Sequence, residues 1–324
     1  MSVRAGVDVG GTKVLAVLVD DASAVLARVR LASSPGADGV VRQVVAAVTA
    51  VCEQAGVDVD ELTAVGIGVP GVVDPLGGTV RHAVNLGLVE SVDLAGPVAA
   101  ALGVPVRLEN DLNAAATGAA AVLGLADRDL AFLAVGTGLA AGLLLDGTLR
   151  RGAGGAAGEV GHVTYRADGP RCACGQHGCL EEYASGRALE AAWAARPRGH
   201  EVAGPAVEGP PPRLLAAAAA AGEPWAVAAW GTFVDAVATA VQVLVLTCDV
   251  PHVVIGGGVA GLGEPLADAV RAALSERAAA SPFLSSLQLA ERVQLVPAGA
   301  DPAAVGAALT TGEARRPAVV AREA

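Results

Sequence analysis

The 324-residue sequence predicts an α/β protein built from two related halves, and three observations carry that expectation. A strand, a glycine-threonine turn and a second strand open the chain as Val3 to Val9, Gly10-Gly11-Thr12 and Val14 to Val19. The pattern returns 126 positions later, counted from Gly10 to Gly136, as Leu130 to Val135, Gly136-Thr137-Gly138 and Gly142 to Leu145. Around both hairpins, short buried-strand runs alternate with stretches of helical periodicity. Such a repeat implies two halves facing each other across a cleft. Two domains also suit a length that exceeds what one hydrophobic core usually serves.

Composition narrows the function. Hydrophobic residues make up 53% of the chain and aromatics only 2%, so Ala, Val and Leu must fill the cores. The 22 basic and 33 acidic residues leave a net charge of −11, which argues against nucleic-acid partners and against adsorption to anionic membranes. The N-terminus meets Asp8 before an apolar signal region can form, and the apolar stretches Ala114 to Ala126 and Ala236 to Cys248 fall short of a bilayer. The expectation is a soluble cytoplasmic protein that works on small molecules.

In the first hairpin, consecutive glycines let backbone N–H groups approach an anion, Thr12 adds a hydroxyl, and Asp8 suits the water shell of Mg2+. Lys13 is the only lysine in the chain. A lone GG turn is equally an ordinary hairpin; the second copy turns both toward a nucleotide phosphate. Val40, Val41, Val44, Val45, Val48, Val51 and Cys52 fall at helical spacing and stop at Gly56, which makes Cys52 core. Leu62 to Val69 reads as a buried strand ending in Pro70-Gly71, and Asn85 reads locally as a turn residue. Pro105 to Glu109 is another strand, ending in Asn110-Asp111-Leu112-Asn113 before an alanine-rich helix. Open α/β sheets bind ligands at that edge, so Asp111 is a candidate site residue as well as a candidate helix cap.

The densest chemistry lies between Glu159 and Glu182. Cys172, Cys174 and Cys179 fall within eight residues, Gly175 and Gly178 supply turns, and His162 stands ten residues upstream. The spacing suits a tetrahedral Cys3His zinc site, whereas disulfides or merely buried thiols would be the alternative in an oxidising compartment. Four protein ligands leave no open position, so the metal is expected to be structural and to fix Glu159, His162 and Glu181 relative to one another. Beyond it, Glu181 to Ala195 reads as a helix with Trp193 in packing, and Arg196 to Pro212 as a mobile loop. Pro224 to Cys248 reads as a long helix with Trp225, Trp230, Phe233 and Val237 near one face and Cys248 as a buried thiol. His252 to Ile255 is a strand running into Gly256-Gly257-Gly258, which permits close approach to a nucleotide. Asp301-Pro302 starts the last helix, which fades into a polar tail.

With these residues in view, the chain resembles the ROK sugar kinases, the bacterial ATP-dependent glucokinases among them, from Gly6 to about Gly306. The resemblance rests on E-x-G-H at Glu159 to His162, C-x-C-G-x-x-G-C-L-E at Cys172 to Glu181, DVGGTK, Asn110-Asp111, the GTG turn and IGGG at Ile255 to Gly258. It implies an actin-like (ribonuclease H-like) two-domain ATPase fold: residues 1–110 as a small α/β domain completed by a C-terminal helix over 302–324, and residues 111–301 as a larger domain with the zinc. Dimers or tetramers are usual in that family. The implied reaction uses ATP and Mg2+ to phosphorylate the primary hydroxyl of a hexose, glucose to glucose 6-phosphate, with Asp111 as general base. The sugar would be held by Gly71, Asn85, Asn110, Asp111, Glu159, His162 and Glu181. The nucleotide would meet Asp8, Gly10, Gly11, Thr12 and Lys13, then Gly136, Thr137 and Gly138, then Gly256, Gly257 and Gly258; the zinc ligands would be His162, Cys172, Cys174 and Cys179. Ala140 and Ala141 stand where the family has glycines, and Leu88 where it often has tryptophan. Other hexoses, amino sugars or cyclitols therefore remain as alternative substrates, and polyphosphate or ADP as alternative donors. Sugar-sensing repressors share this body but carry a winged helix before the first hairpin; only seven residues precede Asp8, so a kinase is expected over a non-catalytic sensor.

Overall fold

The computed structural model describes residues 2–126, 128–197 and 208–312. They form two compact units, one of residues 2–118 with 303–312 and the other of the described residues between 119 and 302.

The first unit contains β1 (Val3–Val9), β2 (Lys13–Val19), β3 (Val25–Ala32), α1 (Ala37–Ala55), β4 (Leu62–Val69), β5 (Val72–Asp74), β6 (Thr79–Arg81), β7 (Val92–Asp93), α2 (Ala95–Leu102), β8 (Val106–Asn110) and, up to Gly118, α3 (Asp111–Val122). Its main sheet has the order β3-β2-β1-β4-β8; β1, β2 and β3 pair antiparallel, and β4 and β8 are added in parallel. Strands β5, β6 and β7 form a separate small sheet. Helix α1 buries Val40, Val44, Val48, Val51 and Cys52 and ends at Gly56 in the left-handed region, as the sequence pattern requires. β3 is not among the strands expected from the sequence, although Ala27, Val29 and Leu31 alternate with Arg28 and Arg30 as a half-exposed strand does; only Ala27 along it is buried.

The last helix, Pro302–Thr310, lays Ala304, Val305 and Ala308 against Leu15, Val17 and Val19. It can lie this close because two strand residues lack side chains. A Cβ on Gly6 or Gly66 would stand 1.9 or 1.8 Å from a carbonyl oxygen of that helix. Gly306 approaches α3 in the same way, where a Cβ would lie 1.7 Å from the Ala114 oxygen. This packing holds the first turns of α3 in the first unit, so the unit ends at Gly118 and not at residue 110. The part of the expected terminal helix over 313–324 lies outside the described residues.

The second unit contains β9 (Leu130–Val135), β10 (Leu139–Leu145), β11 (Thr148–Leu149), α4 (Gly186–Ala194), α5 (Pro211–Ala220), α6 (Pro224–Cys248), β12 (His252–Gly256), α7 (Glu264–Ala279), α8 (Pro282–Ser286) and β13 (Val293–Leu295). The sheet order is β11-β10-β9-β12-β13, again with three antiparallel strands followed by two added in parallel. The hairpin repeat seen in the sequence is therefore the visible part of a repeated sheet.

Four expectations change here. The helix read as Glu181 to Ala195 begins only at Gly186, because the Ser185 hydroxyl accepts from the Ala188 N–H at 3.1 Å and caps it, while Leu180–Glu182 is a separate 3-10 turn. Cys248 is half-buried, since it closes the last turn of α6 beside the left-handed Asp249. The region read as a mobile loop gives up Pro211 and Pro212 to the start of α5, and its residues 198–207 lie outside the described residues. Helix α6, 25 residues long with an 18-residue stretch of mean hydropathy 1.7, is long and apolar enough to cross a membrane, but half of that stretch is buried, with Phe233, Val237, Val241 and Leu244 in the core.

Candidate active site

In the first unit the polar edge is the junction of β8 with α3. Asn110 is the cap: its Oδ1 accepts from the N–H groups of Leu112 at 3.0 Å and Asn113 at 3.2 Å. Its amide donates to the Gly71 oxygen at 3.2 Å, which joins two of the expected sugar residues directly. The carbonyl oxygen of Asn110 is thus committed to the helix, and what remains for a ligand is an amide donor. Asp111 is the first helical residue, half-buried, and its Oδ1 accepts from Leu112 N at 3.0 Å.

Glu109, which sequence reasoning passed over, is 2% exposed. Its Oε1 accepts from Asn110 N at 3.1 Å and from Asn113 Nδ2 at 3.0 Å, so one buried carboxylate fixes the backbone that carries Asp111. The signal available was a carboxylate inside an apolar strand followed four residues later by an amide. Glu109→Ala leaves two buried donors short of an acceptor and is expected to cost about 1–3 kcal/mol in urea unfolding, whereas Glu109→Gln, which keeps an acceptor, costs clearly less. Equal losses for both variants would contradict this account.

The first glycine turn is closed by Gly10 N donating to Lys13 O at 2.9 Å, with Gly11, Thr12 and Lys13 exposed. Exposed Asn85 lies against it, since a Cβ on Gly11 would stand 3.1 Å from the Asn85 oxygen and 3.2 Å from its Cβ. Substituting Gly11 would therefore disturb Asn85 as well. The second turn is closed by Gly136 N donating to Gly138 O at 3.0 Å, and Gly136 has open space where a Cβ would go. Gly136→Ala is accordingly expected to melt within about 2 °C of the parent while nucleotide affinity falls about tenfold, the methyl occupying space a phosphate needs. Unchanged affinity in calorimetry with an ATP analogue would remove this turn from the nucleotide site.

Of the three later glycines, Gly256 is buried within β12, where a Cβ would strike the Phe132 ring at 2.3 Å, so it serves the sheet. Gly257 and Gly258 are exposed and remain candidates. Ala140 and Ala141 lie inside β10, paired with Ala134 and Leu133, beyond the turn itself. Leu88 is 3% exposed and packs in the first unit's core, which accounts for an aliphatic residue there.

In the second unit the segment after β11 folds back onto β10. Ala141 N donates to Gly158 O at 2.8 Å, and Gly161 lies so close that a Cβ would stand 2.0 Å from the Leu139 oxygen, which explains the glycine in E-x-G-H. This places His162 beside the cysteines. His162, Cys172, Cys174 and Cys179 present ligand atoms all within 4.8 Å of one another. Cys172 Sγ is 3.8 Å from His162 Nδ1, and Cys174 Sγ is 3.7 Å from Cys179 Sγ. A tetrahedral ion with metal–sulfur bonds of about 2.3 Å holds its sulfurs about 3.8 Å apart, so the four residues fit such an ion. Burial pushes the Cys172 thiol up and drives Cys179 up to about 12, while the Gln176 backbone N–H lowers exposed Cys174 to about 7.

The other ring nitrogen of His162, Nε2, lies 3.7 Å from Glu159 Oε2. The histidine can thus serve a metal through one nitrogen and a ligand through the other. Glu181 is held at both oxygens: Oε2 accepts from Leu139 N at 3.0 Å, and Oε1 from Arg187 Nη2 at 2.8 Å. Gly186 N also donates to Gly136 O at 2.7 Å, so the cysteine segment and the second glycine turn are joined at two points.

The duplicated sheets, the glycine-threonine turns and the cysteine cluster define a sugar-kinase type of fold. The ROK family model matches residues 4–312, and the chain belongs to the ROK family. It is 40% identical over 190 residues to a glucokinase of Streptomyces coelicolor, a match covering 58% of each chain. An N-acetylmannosamine kinase of Vibrio cholerae is 33% identical over 184 residues, 57% of this chain and 62% of that one. These matches span about three fifths of the curated relatives' length. Among solved structures, a ROK family glucokinase from Streptomyces griseus in complex with glucose and AMPPNP superimposes with a TM-score of 0.76 at 33% identity, covering 95% of this chain and 99% of that one.

Proposed function

We propose that this chain transfers the γ-phosphoryl group of ATP to the primary hydroxyl of a hexose, with glucose as the principal substrate. The observation that supports it most is the 33% identity, across 95% of the chain, to a structure that holds glucose and AMPPNP. In this reading the Asp111 carboxylate takes the hydroxyl proton as the sugar oxygen bonds to the γ-phosphorus and the bond to the departing ADP breaks. The remaining hydroxyls are read by Gly71, Asn85 and Asn110, and by Glu159, His162 and Glu181, carboxylates and amides that pair with a neutral polyol. Mg2+ carried with the nucleotide neutralises phosphate charge, and Asp8 suits its water shell. Exposed Gly11, Gly257 and Gly258, with half-buried Gly10, Gly136 and Gly138 beside them, offer backbone to the phosphates.

We assign the Cys3His cluster to zinc, with a structural role, since four protein ligands close the coordination sphere. A second substrate reading has its own support: the 33% identity to an N-acetylmannosamine kinase favours an amino sugar. Purified protein assayed with ATP, Mg2+ and a panel of hexoses and N-acetylhexosamines, scored by ADP release, decides between them. Glucose is expected to give the highest kcat/KM. Sugar binding in calorimetry without ADP release on any sugar would replace the kinase with a sensor.

A further inference from the structure

We infer that Arg187, which no part of the proposed chemistry uses, is a positioning residue that sets the Glu181 carboxylate and through it the second glycine turn. The inference rests on the reading of Glu181 as a sugar ligand. Arg187 is the second residue of α4, at a helix N-terminus where a cation is electrostatically out of place and therefore needs a local reason. That reason is visible: its Nη2 lies 2.8 Å from Glu181 Oε1 and 3.7 Å from Glu182 Oε1.

The Glu181 side chain is 16% exposed and Arg187 48%, so the pair sits at the edge of solvent with the carboxylate on the inner side. One oxygen of Glu181 is gripped by the guanidinium and the other by the Leu139 N–H, at the first residue of β10. Two donors from two directions fix both the position of a carboxylate and the plane in which its free lone pairs point. With Arg187 removed, the carboxylate hinges on the Leu139 bond alone and turns about its terminal torsion, which is soft. Gly138 adds a reason for precision, because Glu181 Oε2 lies 2.4 Å from where its Cβ would be, so the carboxylate fills the space beside the turn. The same group that reads the sugar thereby supports the backbone proposed to meet the nucleotide.

A half-exposed ion pair with a merely structural role contributes little, and its loss would move melting slightly and nothing else. Positioning predicts a different pattern. Arg187→Ala is expected to raise the KM for sugar about tenfold, with kcat changed less than about threefold, since Glu181 does not touch the reacting hydroxyl. Amide exchange at Leu139, measured in ligand-free protein, should quicken about tenfold. Arg187→Lys, a cation without the fork, should recover part of both effects. Unchanged sugar KM together with unchanged Leu139 exchange overturns the inference, as does a general loss of exchange protection across the unit. If the parent protein phosphorylates no sugar, the functional reading falls, while the exchange measurement still decides whether Arg187 holds Glu181.

Discussion

Asp111→Asn is expected to fold, to bind sugar and ATP, and to lose turnover by at least ~100-fold, the low end of what a general base contributes. The substitution separates two roles that the sequence leaves together. The helix cap belongs to Asn110, whose Oδ1 takes the N–H groups of Leu112 and Asn113, so α3 does not depend on a charge at position 111. An asparagine there also keeps an oxygen for the Leu112 N–H that Asp111 Oδ1 accepts at 3.0 Å. What it loses is proton affinity. Stability by urea unfolding should therefore shift by less than about 1 kcal/mol, within the range of an exchange between good caps. Near-normal kcat in the variant would place the base elsewhere, with Glu159 the next carboxylate to replace.

If the proposed zinc is bound, stripping it is expected to have the largest effect on stability. If zinc at about 1,000 times its dissociation constant adds about 4 kcal/mol, and each kcal/mol moves melting by about 2–4 °C in a unit of this size, the chelated protein should melt about 8–16 °C lower. Cys179→Ser should reproduce most of that loss, because Cys179 is fully buried and a serine oxygen is a poor zinc ligand. Cys174→Ser, at the exposed edge of the cluster, should leave a weaker mixed site. The thiols also set the pH dependence. Burial raises Cys172, and Cys179 to about 12, so both carry protons at neutral pH without a metal and must release them to bind one. With Cys174 near 7 about half protonated, between about two and three protons should leave per zinc near pH 7, and affinity should rise with pH. Calorimetry in buffers of different ionisation enthalpy counts them; metal analysis without stoichiometric zinc in active protein would end the assignment.

The sequence by itself determined the elements whose cause is local. Hairpins show as apolar runs broken by glycine and threonine; α1 shows as valines at helical spacing ending at Gly56; the Cys3His cluster shows as cysteines whose separation already limits how far apart they can lie. The family motifs added the expected roles of Asp111 and Glu159, which propensity does not supply. The tertiary structure alone decided what depends on neighbours distant in the chain. The small sheet of β5, β6 and β7 is made of segments of two or three residues, too short to carry a pattern of their own, and exists because they pair with one another. Gly6, Gly66 and Gly306 are glycines because helices pass within van der Waals contact of their backbones. The division of labour at the site is of the same kind: Asn110 caps, Glu109 braces from below, Gly256 is spent on Phe132, and Arg187 grips Glu181. A residue type states which bonds a side chain can make, and only the packing of separate segments chooses which of them it does make.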